Sequence, residues 1–177
     1  GTRGSCSSIV LQPDGKILAA GSVYYGDNNI NKKLLRLNAD GTLDETFTFG
    51  ALSTFQGITK IILQPDGTIL ALGIVDTYKS KVIRLLSNGA LDPTFTMAST
   101  LYFHNNKNLY MFLDNNGKIM LISDSFGNNN YKMFRMNSDG TVDTTFNFTA
   151  LNPYSYGSMA ANATLPNQKI MTGVPGK

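Results

Sequence analysis

One stretch of sequence recurs along this chain, and that recurrence limits the fold more than any other feature. LQPDGKILAAG begins at Leu11, LQPDGTILALG at Leu63, LDNNGKIMLIS at Leu113, and a weaker copy, TLPNQKIMTGV, at Thr164. The spacings are 52, 50 and 51 residues. A second motif interleaves with the first. LRLNADGTLDETF begins at Leu35, IRLLSNGALDPTF at Ile83 and FRMNSDGTVDTTF at Phe134, spaced by 48 and 51 residues. Two motifs repeated in one order at this period indicate like units in an array, of the kind that builds propellers.

Each unit reads as strands and tight turns. In the second, Ile58–Leu63 is apolar and β-branched, and Gln64-Pro65-Asp66-Gly67 is a turn. Thr68–Val75 is the next strand and Asp76–Ser80 a polar loop. Lys81–Leu86 is the third strand, closed by an Asn-Gly turn at Ser87-Asn88-Gly89. Ala90–Phe95 then gives a short outer strand or an ordered extended tail. The result is an antiparallel meander of about four strands. In the third unit LDNNG replaces LQPDG, which predicts a change of turn type. The fourth unit reads Pro166-Asn167-Gln168 and lacks the Asp-Gly pair.

The strands are apolar on both faces. Ile69 and Ala71 alternate with Leu70, Leu72 and Ile74. Ile17 and Ala19 alternate with Leu18 and Ala20, and Ile119 and Leu121 with Met120 and Ile122. A sheet with one wet face would alternate apolar with polar. Sheets like these must be covered on both sides, and stacking around an axis does that. A β-solenoid or sandwich is the alternative.

Composition agrees with many short strands joined by turns. Eleven Asp, 18 Asn and 17 Gly accompany a single Glu, Glu45, among the 177 residues. Hydrophobic residues make up 42% and charged residues 15%, too apolar for a disordered chain. No apolar run reaches the ~18 residues of a membrane helix. The net charge is +3, but Lys is scattered and three of the four Arg occupy one repeat position. That pattern argues against a nucleic-acid surface. The single Cys6 can form neither an internal disulfide nor a thiolate metal site. With no initiator Met and no signal peptide, the chain is expected to be a mature form or a fragment.

LQPDGKILAAG followed by LRLNADGTLDETF resembles the delta-60 repeat family. That family is a β-propeller domain of unknown function in bacterial, mostly secreted or surface, proteins. The resemblance spans three units and half of a fourth. It implies an all-β fold and a secreted or cell-surface location, and it brings no catalytic motif. The expectation is a partial β-propeller of about three and a half four-stranded blades, at 3–50, 55–98, 106–149 and 157–177. Because propellers typically close with 4–8 blades, this predicts a portion of a longer chain.

Arg36, Arg84 and Arg135 lie between apolar neighbours in the third strands. They are expected to pair with Asp44, Asp92 and Asp143 of the LDxTF motif, or with turn carbonyls, through the guanidinium fork. The competing reading is a cationic ring for an anionic ligand. The loops from Asn38 to Asp44 and from Asn137 to Asp143 are similar to calcium loops but offer too few oxygens for that ion. Hairpin turns are expected, with no metal. His104, the only His, lies in a polar stretch with no partners for a catalytic set. Asn147 and Asn162 begin Asn-x-Ser/Thr sites, meaningful only on a glycosylating pathway.

The variable segments between second and third strands mix aromatics with Asn and Asp. Tyr24, Tyr25, Asp27, Tyr78, Phe126 and Tyr131 are the candidate ligand contacts, because exposed loops on rigid scaffolds carry function. The sequence thus points to a non-catalytic binding or adhesion module without a cofactor. Its partners would be a protein or glycan at the cell surface and further repeats of the same chain. A structural or passenger segment of a large surface protein, secretion cargo or virion is the first alternative. An enzyme with catalytic groups elsewhere is the second.

Overall fold

A computed structural model describes residues 2–25, 30–50, 55–76, 79–96, 109–124, 131–146, 161–164 and 170–173. All regular structure among them is β. Sheet one is β1 (Thr2–Leu11), β2 (Ile17–Tyr25) and β3 (Ile30–Leu37). Sheet two is β4 (Gly57–Leu63), β5 (Ile69–Asp76) and β6 (Lys79–Leu85). Sheet three is β7 (Leu109–Leu113), β8 (Ile119–Asp124) and β9 (Tyr131–Met136), and β10 (Ala161–Thr164) pairs with β11 (Ile170–Gly173). All pairings are antiparallel between consecutive strands. Two compact units hold them, Gly1–Phe95 and Thr96–Lys177. Among the described residues no helix is long and apolar enough to cross a membrane.

Of the two forms expected for the segment after the third strand, the described residues show the ordered tail. After the third strand each unit makes one antiparallel bridge, Leu37 to Leu43, Leu85 to Leu91 and Met136 to Val142. The next residue is the motif Asp, whose N–H donates to the Arg carbonyl in every copy (2.9, 3.0 and 2.8 Å). Its own carbonyl then accepts from the Phe N–H three residues on, at 3.2–3.3 Å, which turns the chain off the sheet edge. Among the described residues each of the three blades thus shows three strands and an ordered tail.

The turns use one device throughout. In Gln64–Thr68 the Gln64 N–H donates to the Thr68 carbonyl and the Gly67 N–H to the Gln64 carbonyl. This is a three-residue hairpin loop, and it needs a residue with positive φ at its third position. Gly15, Gly41, Gly67, Gly89, Gly117 and Gly140 fill that position, at φ of 74–91°. The LDNNG turn keeps the same bonds, Asp114 N–H to Lys118 and Gly117 N–H to Asp114. The expected change of turn type does not occur, because Gly117 still supplies the positive φ. Instead Asp114 Oδ1 accepts from the N–H of Asn116 and Lys118.

In the first unit sheets one and two share a core. Leu18, Ala20 and Leu34, on one face of sheet one, cluster with Ile61, Ile69, Ala71, Ile83 and Leu85 on the face of opposite parity of sheet two. Phe47, Phe49 and Phe55 complete the cluster. Leu70, Leu72 and Val82, on the other face of sheet two, are also fully buried. Both faces are thus covered, as the double apolar pattern requires. Hydroxyls bridge the two sheets as well. Ser7 Oγ donates to the Ile58 carbonyl at 2.6 Å, and Ser8 Oγ accepts from the Ile61 N–H at 3.2 Å. The bulge between Cys6 and Ser8 lets adjacent serines serve one neighbour.

In the second unit, Met120, Ile122 and Met133 pack with Tyr110, Phe112 and Phe146. These are the counterparts of the Leu18, Ala20 and Leu34 face. Ile119, Leu121 and Met136, of the other parity, are fully buried.

Candidate functional site

The third strand and the tail bring the recurring Arg and Asp together in every sheet. Arg36 Nε donates to Asp44 Oδ2 at 2.8 Å, Arg84 Nε to Asp92 Oδ2 at 2.6 Å, and Arg135 Nε to Asp143 Oδ2 at 2.8 Å. The other carboxylate oxygen accepts twice from the motif Thr, through its N–H and its hydroxyl, at Thr46, Thr94 and Thr145. Each guanidinium also lies over the motif Phe, 4.9 Å from Phe47, 5.1 Å from Phe95 and 4.8 Å from Phe146. The Asp side chains are 4–7% exposed. A charged pair at this depth holds only when hydrogen bonds satisfy its remaining atoms, and here they do. LDxTF is thus an ionic pin that fixes the tail to the third strand.

Two lysines join the pins. Lys16 Nζ reaches Asp44 Oδ2 at 2.8 Å, and Lys118 Nζ reaches Asp143 Oδ2. Lys16 and the Thr46 hydroxyl hold the Asp44 carboxyl well below the usual carboxylate range, and Lys118 and Thr145 do the same for Asp143. Sheet two has Thr68 at the corresponding position, and its hydroxyl turns to Gln64 and Asp66 instead. Asp92 is lowered too, first by Thr94.

The pin aims the tail at the neighbouring sheet. In the first unit Arg36 Nη1 donates to the Ser87 carbonyl at 2.6 Å. The Thr48 N–H donates to Asn88 at 3.0 Å, and the Gly50 N–H to Gly89 at 3.1 Å. Three successive carbonyls of the β6 turn are thus clasped by sheet one. Within the second unit the Thr96 N–H donates to the Asp139 carbonyl at 2.8 Å, the same bond one repeat on.

The loops with calcium-like sequence are closed on themselves. Asp40 Oδ1 accepts from the N–H and hydroxyl of Thr42, and Asp139 Oδ1 from those of Thr141. The carboxyl of Asp40 is lowered by those bonds. Among the described residues no group of three or more His, Cys, Asp or Glu is placed to hold a metal ion.

Of the candidate ligand contacts, Tyr24 is half-buried on β2, and its ring lies over Gly4, where an added Cβ would come within 2.9 Å of Cδ2. Tyr25 ends β2 opposite Thr2, and Tyr131 opens β9 opposite Asp124. Asp27, Tyr78 and Phe126 lie outside the described residues, as do His104 and Asn147. Asn162 lies on β10, paired with Thr172.

Sequence reasoning missed three things. Lys16 and Lys118 were legible as the Lys after the turn Gly. The Lys three residues before each Arg, at Lys33, Lys81 and Lys132, also recurs. All three stand on edge strands, where Lys discourages pairing with another chain, and Lys33 Nζ also donates to the Phe55 carbonyl. The carbonyl cradle at Ser87–Gly89 has no side-chain signature.

No curated protein gives a significant match to the chain. Residues 12–47, 64–95 and 115–146 match the family described as a β-propeller domain of unknown function, DUF5122. Each matched segment ends on the Phe of an ionic pin, and together they span more than half of the sequence. The chain therefore belongs to the DUF5122 β-propeller family, the delta-60 type of repeat, and its three three-stranded sheets are propeller blades.

Proposed function

We propose that this propeller segment is a non-catalytic binding or adhesion module of a secreted or cell-surface protein. The observation that carries the reading is how the recurring charged groups are used. Arg36, Arg84 and Arg135 engage Asp44, Asp92 and Asp143 and their own tails, so the repeated chemistry builds a rigid frame. What varies between units is the segment after the second strand, at 26–29, 77–78 and 125–130. Loops on a rigid scaffold are the common seat of recognition. Their aromatic, amide and carboxylate groups suit a glycan or a polar protein surface.

The test is binding of the chain to a glycan array, with Tyr25→Ala, Tyr78→Ala and Tyr131→Ala combined in one variant. Retained folding with lost binding supports the module. An absence of binding, together with co-purification in a large surface assembly, supports the passenger reading.

A further inference from the structure

Six hairpin turns of one form occur among the described residues, and five of them hold one side chain in the same way. The residue before the turn glycine accepts, through its side-chain oxygen, the N–H two positions on. Asp14 accepts from Lys16, Asp40 from Thr42, Asp66 from Thr68, Asn88 from Ala90 and Asp139 from Thr141, at 2.9–3.1 Å. In the sixth turn Asp114 Oδ1 takes that N–H, from Lys118 at 2.9 Å, together with the Asn116 N–H at 2.8 Å. The Asn116 carboxamide is thereby displaced from the turn, and it has no bond among the described residues.

Asn-Gly occurs twice in the sequence, at Asn88–Gly89 and Asn116–Gly117. A glycine after asparagine leaves unhindered the nitrogen that can attack the carboxamide. At Asn88 the fold opposes that attack. Its Oδ1 is held by Ala90, and its carbonyl accepts from the Thr48 N–H at 3.0 Å. Gly89 is buried, and a Cβ added there would come within 2.5 Å of the Thr48 carbonyl. At the second site Asn116 and Gly117 are exposed, and a Cβ added at Gly117 would meet nothing within 4 Å. Both glycine N–H groups donate within their own turns at 2.9 Å, so that bond does not distinguish the sites.

We infer that Asn116–Gly117 is a site of spontaneous deamidation, which marks the age of the chain and loosens the turn of sheet three. The Gly117 nitrogen gives its proton to solvent base and attacks the Asn116 Cγ. A C–N bond forms, the carboxamide nitrogen leaves as ammonia, and a cyclic imide results. Water then opens the imide at the side-chain carbonyl to give aspartate, or at the main-chain carbonyl to give isoaspartate. The net change is one water consumed and one ammonia released, with no oxidation or reduction. Isoaspartate carries the main chain through Cβ, one atom longer, across a turn closed by bonds from Gly117 and Lys118 to Asp114. Lys118 Nζ ties the same turn to Asp143 of the pin. The inference does not depend on what the loops bind.

The full chain is aged in mildly alkaline buffer. Both sites are followed by peptide mass mapping, with isoaspartate read by enzymatic methyl labelling. In the folded chain Asn116 should convert at least about tenfold faster than Asn88, whose reaction requires local opening. In urea the two sites should convert at similar rates, which assigns the difference to the fold. Asp114→Gln returns the Lys118 N–H to Asn116 Oδ1, as in the turn of Gln64 and Asp66, and should slow Asn116 by at least about threefold. The aged chain should melt below unaged Asn116→Asp, which has the same charge on an unlengthened main chain. Equal rates at the two sites in the folded chain overturn the inference, as does a difference that persists in urea. A folded Asp114→Gln chain that deamidates at the wild-type rate overturns the part given to the Asp114 bonds. An aged chain that melts like Asn116→Asp overturns the loosening.

Discussion

Replacing Arg84 by Ala isolates the ionic pin of sheet two. The wild-type guanidinium donates to Asp92 at 2.6 Å and to Thr94 Oγ1 at 3.0 Å, and lies 5.1 Å from the Phe95 ring centre. Arg84 and Asp92 side chains are 13% and 7% exposed. Because Thr68 stands where Lys16 and Lys118 stand, that position supplies no ammonium to Asp92. Removing one partner of a buried pair costs about 3–5 kcal/mol, and loss of the ring contact adds about 0.5–1 kcal/mol. The two bonds from Thr94 and the residual exposure of Arg84 reduce the total to about 2–4 kcal/mol. In a chain of this size that is a fall in thermal midpoint of about 5–15 °C. Urea denaturation followed by far-UV circular dichroism reads the free energy. Adding Asp92→Asn to Arg84→Ala should recover part of the loss, since no charge is then stranded. An Arg84→Ala midpoint equal to wild type would refute the pin as a source of stability.

Other outcomes follow from the same geometry. Asp44, Asp92 and Asp143 have lowered carboxyls when folded, so their contribution is complete above the unfolded value of about 3.9. It is lost as pH falls from there through the folded values, and the denaturation midpoint should drop below about pH 4; a midpoint that rises on acidification contradicts this. Lys16→Met should raise the Asp44 carboxyl pKa and leave Asp92 unmoved, as read by NMR titration. Gly67→Ala and Gly89→Ala both force a side chain to positive φ, at about 1 kcal/mol or more each. Only Gly89 faces the Thr48 carbonyl, so its substitution should cost roughly 1–2 kcal/mol more; equal costs speak against the clasp. Chelator should leave the melting midpoint unchanged, because Asp40 and Asp139 already bond their own Thr residues. A midpoint raised by added calcium would contradict that.

The strands and turns were legible because they rest on local rules repeated in phase. Alternation of two apolar faces marked stacked sheets, and six turn glycines marked the hairpins. Arg36 and Asp44 could be paired from spacing alone, since a bridge at Leu37 and Leu43 brings them side by side. Between the two readings of the last segment, outer strand or ordered tail, the decision is physical and not legible in the sequence. Leu91 to Phe95 looks extended, but the Asp92 carbonyl takes the Phe95 N–H and the Asp92 carboxylate holds Arg84, which bends the tail away from the edge. The clasp was invisible because its acceptors are main-chain carbonyls, which every residue has. The candidate contacts Tyr25, Tyr78 and Tyr131 rest on composition and position in the repeat.

The account turns on one link, the tail of one blade closing on the turn of the next. Amide hydrogen exchange at Thr48 and Gly50 measures it directly, because each N–H has its acceptor only on the neighbouring sheet, at Asn88 and Gly89. Protection comparable to that of the β5 amides, reduced together by Gly89→Ala, is the predicted result. Exchange at Thr48 and Gly50 at the rate of an unprotected chain, while β5 stays protected, would contradict it.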